Sequence, residues 1–555
     1  MNRSEPQTDT NPWVVLLVLC MGFFMILLDT TIVNIAIPSI IDALRASLDQ
    51  ILWVLNAYIL VYAVLLITAG RLGDIYGQRT LFAAGLALFT LASAFCGLAQ
   101  DINQLILARV IQGIGGALLT PQTLAMLTTI FPPQRRGAAF GIWGAVAGVA
   151  AVAGPTLGGF IVTTWGWRWI FYVNLPIGIA ALAATFLVIP DIRAGRRHRL
   201  DLLGVLLASA GLFGIVFGLI EGQRYNWGAI WGPLTIGELI TAGVLVLVGF
   251  VVWERFQAEP LIPLPLFAIG NFALMSWVTA VMSFGMLGLF FPITIYLQSA
   301  LGLSALQAGL TVAPQALVAM VVAPWSGRLA DRIGGKYILM AGLVLFAAGM
   351  SLVDWRAAPD ATWLTFLPAF LLSGFGMGCI FAPLNTVAMR NVEPRLAGAA
   401  AGVLNTTRQL GGVVGSAVVG AVLQNRLATA LHDAAVTRSD RLPPQIPTGV
   451  RHRLVGVLAA TGKGGLEVGR TQQGGMHVPS SVPAPLVHQI QQFFHDVFVQ
   501  GYLDAMRPTL AVPVIMLLVG ALSCLAIQRH RQVAERGHEH GDLPAQADVV
   551  AERRR

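Results

Sequence analysis

Two ionisable residues lie deep inside long apolar stretches of the sequence, where a charge needs a partner. Asp29 occurs in LLDTTIVNIAIP and Arg109 in LARVIQG. If both stretches are membrane helices, a rise of about 1.5 Å per residue places the two side chains roughly 7 to 12 Å from the same membrane surface. A charge in lipid is costly unless it is paired, so these depths predict an Asp29–Arg109 contact. A proton or a cationic substrate can compete with Arg109 for Asp29; the alternative is a static structural ion pair.

Other polar side chains interrupt apolar stretches and are candidates to line a substrate cavity. These candidates are Asn34, Asn385, Asn405, Arg408 and Gln409. Arg408 occurs in GVLNTTRQLGGVVG, a stretch without an acidic residue. We expect its guanidinium to bond to backbone carbonyls or to attract an anionic group.

The elements that carry these residues must be membrane helices. The chain has 555 residues, of which 56% are hydrophobic and 11% charged, and its mean hydropathy is +0.73. Because soluble domains contain about 25% charged residues, this composition excludes a soluble enzyme, a disordered chain and a nucleic-acid-binding module, in spite of a net charge of +8. The four cysteines lie in apolar stretches without CxxC or zinc-binding spacing, so we expect no disulfide, metal site or cofactor.

Fourteen apolar segments are long enough to cross about 30 Å of hydrocarbon as helices. They are Trp13–Ile37, Ile51–Ala69, Leu81–Ala99, Gln104–Leu127, Gly137–Thr163, Trp169–Ile189, Leu200–Ile220, Leu234–Trp253, Phe272–Tyr296, Leu306–Trp325, Tyr337–Val353, Trp363–Met389, Leu396–Leu423 and Thr509–Ile527. Arginine and lysine are concentrated in the short loops on the side of the two termini. Since positive residues mark cytoplasmic loops, we expect a multi-pass protein of the cell membrane with both termini in the cytoplasm.

An internal repeat divides these segments. GRLGDIYGQR from Gly70 returns as GRLADRIGGK from Gly327, so segments one to six resemble segments nine to fourteen, and segments seven and eight have no counterpart. Two related six-helix halves are the architecture of many secondary transporters. The predicted divisions are 1–12 (cytoplasmic tail), 13–190 (first half), 191–270 (two inserted helices), 271–527 (second half, with an extracellular loop at 424–508) and 528–555 (cytoplasmic tail).

The repeated sequence supplies candidates for a contact between the halves. They are Gly70, Arg71, Asp74, Gly77 and Arg79 in the first copy and Gly327, Arg328, Asp331 and Gly334 in the second. The glycines allow a tight turn, and Asp74 can pair with an arginine or face a helix N-terminus. Such a latch can be made in one state of two rocking halves and broken in the other; the alternative is an ordinary cytoplasmic turn.

The fifth segment carries a series of small residues. The series is Gly144, Gly148, Gly154, Pro155, Gly158 and Gly159. Spacings of three and four residues predict that the glycines share one helix face, which allows close approach of another helix. Pro155 removes a backbone hydrogen bond and bends the helix. The alternative is tight packing without a role in gating.

The long segment 424–508 joins the last two membrane segments on the outside. Its middle is rich in Pro, Gly, Gln and Arg, which predicts a flexible segment. Apolar residues at helical spacing from Leu486 to Gly501 predict an amphipathic helix at the outer membrane surface. The alternative is a short extension of the last membrane helix.

With these motifs in order along the chain, the sequence resembles the major facilitator superfamily, in particular its fourteen-helix drug:proton antiporters. GRLGDIYGQR and LARVIQGIGGA resemble motifs of the superfamily, the series Gly148–Gly159 resembles its antiporter motif, and LDTTIVNIAIP, WRWIFYVNLPIG and GxxxNxxRxxG resemble motifs of the fourteen-helix branch. The resemblance implies a major facilitator fold, a role for Asp29 and Arg109 in proton coupling, and a cavity between the halves for an amphipathic, often cationic, drug. Segments ten and thirteen lack the acids that some relatives use for dicationic drugs.

We therefore expect a proton-driven efflux transporter that works by alternating access, and not an enzyme. Its expected partners are membrane lipid, protons and an amphipathic cationic or neutral drug; no nucleic acid is expected, and the protein is expected to be a monomer. The sequence contains no GxxxxGK[ST] phosphate-binding loop, so direct use of ATP is not expected. Two alternatives stay open: an exporter of an endogenous lipid, siderophore or metabolite, and a non-transporting membrane sensor.

Overall fold

The computed structural model describes residues 11–46, 48–191, 200–222, 224–225, 227–257, 259–438 and 484–528. These residues are almost entirely helical, and one short antiparallel β-hairpin, β1 Ala229–Trp231 with β2 Leu234–Thr235, interrupts them. The first nine helices are α1 Pro12–Leu44, α2 Leu48–Tyr76, α3 Gln78–Leu98, α4 Ile102–Ile130, α5 Arg136–Trp165, α6 Trp169–Tyr172, α7 Asn174–Val188, α8 Leu202–Glu221 and α9 Ile236–Glu254. The others are α10 Pro265–Ala268, α11 Gly270–Ile295, α12 Ala305–Ile333, α13 Lys336–Arg356, α14 Trp363–Gly378, α15 Phe381–Met389, α16 Ala397–Arg438 and α17 Ala484–Ser523.

The helices confirm the predicted class of an all-helical polytopic membrane protein. Thirteen helical segments of the described residues are long and apolar enough to span a membrane. Helix α5, with 30 residues, is a further long helix between the fourth and fifth of them. The fourteen predicted segments each correspond to one helix or to two consecutive helices, such as α6 with α7 and α14 with α15.

The helices pack as two groups with the inserted pair at the side. Helices α1 to α5 and α7 contact one another, and so do α11 to α17. The groups meet mainly where α5 packs on α12 and α2 packs on α16. The inserted helices α8 and α9 pack on each other, and α8 also contacts α2 and α16.

Both ends of the described chain lie at one end of the bundle. The ring of Trp13, at the start of α1, lies 5.1 Å from the ring of Phe131, just after α4. Lys336, at the start of α13, donates to the carbonyl of Leu525 at 2.5 Å, just after α17. We call this end, where α2 and α12 also finish, the loop-motif end.

The repeated sequence is helical over most of its length, which corrects the prediction of a loop. Gly70 to Tyr76 form the last turns of α2, and Gly327 to Asp331 lie within α12. The turn itself is made at Gly77, with φ of 96°, and at Gly334, with φ of 86°. Residues with a β-carbon are disfavoured in this region of backbone space.

The predicted amphipathic surface helix is wrong, because these residues continue the last membrane helix; the alternative, a short extension of that helix, is right in kind, but the extension is long. Helix α17 runs unbroken from Ala484 to Ser523, and α16 extends to Arg438. Their 42 and 40 residues correspond to about 60 Å each, twice the hydrocarbon thickness. A β-carbon at Gly501 would lie 2.8 Å from Leu431, so the extensions pack together. The predicted flexible middle runs from Arg438 to Pro485; its ends lie in α16 and α17, and 439–483 lie outside the described residues.

Candidate functional site

Asp29 and Arg109 form a buried ion pair between α1 and α4. Arg109 Nη1 lies 2.5 Å from Asp29 Oδ2, and the side chains are 1% and 0% exposed. The structure therefore brings together the two residues that the depth argument paired. Because both groups are enclosed by protein, neither charge faces lipid.

A polar network holds the pair in place. Gln112 accepts a hydrogen bond from Arg109 Nη1 at 2.7 Å and donates one to Asp29 Oδ1 at 3.0 Å. Arg109 Nε donates to the carbonyl of Val54 at 3.1 Å. Gln112 Nε2 also reaches Ser93 Oγ at 3.3 Å. Sequence reasoning missed Gln112, although its position three residues after Arg109 places it one helical turn away on the same face.

Two tyrosines of α2 lead from this pair toward the second half. The guanidinium of Arg109 lies 4.2 Å from the ring centre of Tyr58, and Tyr58 stacks on Tyr62 with ring centres 6.0 Å apart. The Tyr62 hydroxyl donates to Thr120 at 3.1 Å and lies beside the guanidinium of Arg408 on α16. The ion pair and Arg408 are thus joined by a continuous series of contacts.

A small cavity of about 10 Å³ lies where the two halves meet, and all but one of its lining residues belong to the second half. It is lined by Leu124, Thr279, Met282, Phe381, Leu384, Asn385, Leu404, Asn405 and Arg408. Three of the five predicted cavity residues, Asn385, Asn405 and Arg408, line it. Asn34 and Gln409 do not: Asn34 is exposed and donates to the carbonyl of Thr30 at 2.8 Å.

Asp29 is not among the residues that line this cavity. The expectation that cargo and proton exchange directly at Asp29 therefore has no support from the geometry. The carboxylate is enclosed by its own half, whereas the cavity is built from both halves. Any coupling between the two sites must pass through intervening residues.

The repeat places one aspartate of each half on a helix start of the other half. Asp74 accepts hydrogen bonds from the amides of Gly398 and Ala399, at 2.9 and 2.8 Å, at the start of α16. Asp331 accepts from Gly137 and the next residue, at 2.8 and 3.1 Å, at the start of α5. The first amides of a helix carry unpaired donors and a partial positive charge. Of the two partners considered for Asp74, the structure selects the helix N-terminus.

We call these two contacts, Asp74 with the start of α16 and Asp331 with the start of α5, the latches. Glycines allow the backbones to approach closely at both. A β-carbon at Gly70 would lie 2.4 Å from the carbonyl oxygen of Gly398, and one at Gly327 would lie 1.9 Å from that of Gly137. Such contacts are too short for any side chain. The glycine at each position is therefore required by the close crossing of α2 with α16 and of α5 with α12.

The arginines of the repeat do not act as a symmetric set. Arg71 is buried near Asp74, and Arg79 donates to the carbonyl of Phe186 at 2.7 Å within the first half. Arg328, the counterpart of Arg71, is exposed. The symmetric part of the latch consists of the aspartates and glycines alone.

The glycines of α5 do not share one neighbour, which corrects the expectation of a single packing face. Near the loop-motif end and at mid-helix they face the second half: a β-carbon at Gly148 would lie 2.8 Å from the carbonyl of Ala316 on α12, and one at Gly144 would lie 3.4 Å from Phe381. The halves are therefore in close contact along this part of α5.

Further along α5 the glycines face their own half. A β-carbon at Gly154 would lie 2.0 Å from Thr31 Oγ1, and one at Gly158 would lie 2.8 Å from Ile32, both on α1. A β-carbon at Gly159 would meet open space, with no described atom within 4 Å. Pro155 follows Gly154 directly in the helix. This half of the series fixes α1 against α5, so it holds the helix that carries Asp29.

The comparisons with known proteins agree with this architecture. Residues 19–416 match the family model of the Major Facilitator Superfamily, and the chain belongs to that family. It is thus a membrane transporter and not an enzyme.

Several relatives are similar over most of their length. The chain is 43% identical to an uncharacterized MFS-type transporter of Mycobacterium tuberculosis, covering 75% of this chain and 71% of the relative. It is 37% identical to the tetracenomycin C resistance and export protein of Streptomyces glaucescens, covering 76% and 78%. It is 35% identical to the multidrug resistance protein Stp of Mycobacterium tuberculosis, covering 78% of each.

Among solved structures, the human organic anion transporter MFSD10 has a similar fold. The TM-score is 0.56 at 13% sequence identity, and the match covers 93% of this chain and 100% of that chain. At this identity the likeness concerns the fold alone.

Proposed function

We propose that this protein exports amphipathic small molecules in exchange for protons, by alternating access, and that Asp29 is the proton-binding group. The observation that carries the proposal is the fully buried Asp29–Arg109 pair, a costly arrangement inside a membrane protein. The relatives named for resistance and export, at 35 and 37% identity, support the direction of transport.

Protonation of Asp29 would remove the charge that holds Arg109. In the deprotonated state Asp29 accepts hydrogen bonds from Arg109 and from Gln112. A neutral acid holds a guanidinium far less strongly than a carboxylate does. Arg109 would then shift relative to Tyr58, and the Tyr58–Tyr62 stack would carry the change to Arg408 at the cavity. In this scheme proton and cargo occupy separate sites that influence each other.

The two latches provide the conformational element on which this coupling acts. Both carboxylates, Asp74 and Asp331, are bound to helix starts of the opposite half. We infer that this arrangement closes the loop-motif end and that the latches break when the cavity opens there. A two-state contact of this kind is what alternating access between two rigid halves requires.

The loop-motif end is proposed to face the cytoplasm of a cell-membrane protein. Its loops hold most of the arginine and lysine residues of the short loops, and positive residues are retained on the cytoplasmic side. The described structure then shows a state closed to the cytoplasm. Because ion pair, cavity and latches all lie within one chain, a monomer is sufficient for the proposed cycle.

A reconstituted system tests the proposal. The purified full chain is placed in proteoliposomes, and a pH gradient is imposed with protonophore-treated and protein-free vesicles as controls. The probe is the methyl ester of an anthraquinone carboxylic acid without hydroxyl groups, a neutral amphipathic molecule. We expect gradient-dependent accumulation that the protonophore abolishes. Equal accumulation with and without the gradient would refute proton coupling.

A further inference from the structure

We propose that Arg408 forms a subsite for an anionic group of the cargo, a carboxylate or a phenolate, so that the exporter prefers acidic amphipathic molecules to cationic ones. This inference rests on the proposed function, because it names the class of cargo that enters the same cavity. It also differs from the expectation of a cationic or neutral drug, in which the cationic class came from the family resemblance.

The guanidinium of Arg408 is positioned at the cavity by its own helix. Asn405 Nδ2 donates to the carbonyl of Ala401 at 2.8 Å, which directs the amide oxygen of Asn405 to Arg408 as a hydrogen-bond acceptor. Both Asn405 and Arg408 line the cavity. An oriented arginine presents planar donors that match a carboxylate.

The charge of Arg408 is not balanced by an acid at the cavity. None of the nine described residues that line the cavity is acidic. Between described residues, the ion pairs are those of Arg109, Arg224 and Arg395, so Arg408 belongs to none of them. Neutral partners, the Asn405 amide and the Tyr62 hydroxyl, are its neighbours. An uncompensated cation in a low-dielectric site attracts an anion and repels a cationic cargo.

A break between two helices lies next to this point. Pro383 cannot donate a backbone hydrogen bond, and its ring conflicts with the carbonyl four residues earlier. The helix is therefore interrupted: α14 ends at Gly378 and α15 begins at Phe381. Phe381 and Asn385, on the first turns of α15, line the cavity. The start of α15 carries a partial positive charge and the end of α14 beside it a partial negative one, so the break by itself does not decide the sign of the potential.

The cavity of about 10 Å³ is too small for a ring system in this state, so the body of such a molecule would enter only after the halves separate further. The walls of the cavity include Leu124, Met282, Phe381 and Leu404, which offer aliphatic, thioether and aromatic surface for a ring system. An acidic group on Arg408 would also draw the guanidinium away from Tyr62. Cargo binding would thus act on the same tyrosine pair that contacts Arg109, which connects the subsite to the proposed proton site.

The test compares three probes that share one ring system and differ in charge. They are an anthraquinone carboxylic acid without hydroxyl groups, its methyl ester and its dimethylaminoethyl amide. Binding to the purified full chain in nanodiscs is measured by fluorescence titration, and transport is measured in proteoliposomes. The variants are Arg408→Gln, Arg408→Lys and, as a control that removes one surface cation, Arg390→Gln at the exposed end of α15.

We expect the wild type to bind the acid most tightly. Arg408→Gln should weaken binding of the acid about tenfold, the effect of one charge-assisted contact, and change binding of the ester by less than about twofold. Arg408→Lys should retain much of the preference for the acid, and Arg390→Gln should leave all three affinities unchanged. A wild type that prefers the amide, or a loss shared equally by the three probes in Arg408→Gln, would overturn the subsite.

A second variant decides the matter if Arg408→Gln does not fold. Asn385→Asp places a carboxylate in the same cavity wall, so it should weaken binding of the acid and strengthen binding of the amide. An unchanged order of affinities would overturn the subsite. The proposed function is tested separately. If the ester is transported with the gradient but the three probes bind equally, proton-coupled export is supported and the subsite is refuted. If the acid binds selectively but no probe is transported with the gradient, the subsite is supported and proton coupling is refuted.

Discussion

Asp29→Asn removes one charge from the proton site and changes almost nothing in its shape. The amide oxygen can still accept the hydrogen bond that Gln112 donates to Oδ1 at 3.0 Å. The loss is the charge that faces Arg109 Nη1 at 2.5 Å. Arg109 then keeps only neutral acceptors, the carbonyl of Val54 and the side chain of Gln112. The variant thus resembles a permanently protonated Asp29.

The expected effect on transport follows from the free energy of the gradient. Each pH unit supplies about 1.4 kcal/mol per proton, which is tenfold in concentration. A neutral cargo exchanged for one proton across about two pH units can therefore reach an accumulation of about 100-fold. With no titratable group at position 29, Asp29→Asn should reach a ratio of about one. Exchange of labelled for unlabelled cargo should persist, since it needs no net proton movement.

The assay measures uptake of the methyl ester probe into inverted vesicles or proteoliposomes with an imposed pH gradient. Glu221→Gln is the matched control, because Glu221 is also buried (3% exposed) and paired with Arg224 at 3.0 Å, but lies on inserted helix α8. The control should accumulate the probe as the wild type does. Accumulation by Asp29→Asn at the wild-type level would refute the assignment of Asp29 as the proton-binding group.

The same variant also tests the energetics of the buried pair. Removing one partner of a buried pair costs about 3 to 5 kcal/mol, because the other charge is left buried without a counterion. Asp29→Asn should therefore lower thermal stability in detergent more than the double variant Asp29→Asn/Arg109→Gln does. The double variant should remain unable to couple transport to the gradient. Additive losses in the double variant would show that the pair is not energetically coupled.

Three further predictions concern the latches, the glycines and the long connection. Replacing Asp74 or Asp331 by asparagine should weaken two charge-assisted hydrogen bonds at a helix start, worth about 1 to 3 kcal/mol. Amide hydrogen exchange should become faster at the start of α16 in the first variant and at the start of α5 in the second. Unchanged exchange would contradict the latch. Gly154→Ala should cost about 1 to 3 kcal/mol of stability through overlap with α1, whereas Gly159→Ala, which meets open space, should be neutral in the same thermal assay. Deleting 440–480 should leave transport of the ester probe largely intact, and a correctly inserted but inactive protein would disprove this.

Much of the fold could be predicted because membrane helices leave a direct record in the sequence. Backbone groups in lipid must bond within a helix, so length and hydropathy alone predict each crossing. The pairing of Asp29 with Arg109 followed from depth, since a lone charge in each segment had few possible partners. The prediction of a surface helix ending near Gly501 was wrong because apolar periodicity identifies the buried face of a helix but not what covers that face. Here the face is covered by Leu431 of α16 and not by lipid.

The candidate site was only partly accessible to such reasoning. Gln112 could have been found from its spacing to Arg109, but the stack of Tyr58 on Tyr62 and its approach to Arg408 depend on how the halves meet. The same holds for the glycines of α5. Their spacing showed that close contacts exist, whereas the partner, α12 at Gly148 and α1 at Gly154, is set by the way the helix passes between its neighbours.

The sequence by itself therefore determined the order of the apolar helical segments, the internal repeat and the presence of a buried acid and base, because solvation by lipid acts on each segment separately. The tertiary structure decided that Asp74 and Asp331 bind helix starts, that Asp29 is not among the residues lining the cavity, and that Arg408 faces this cavity with no acid among the described residues that line it. These are properties of distances between segments far apart in the chain. They depend on how the two halves pack against each other, which hydropathy and spacing do not record.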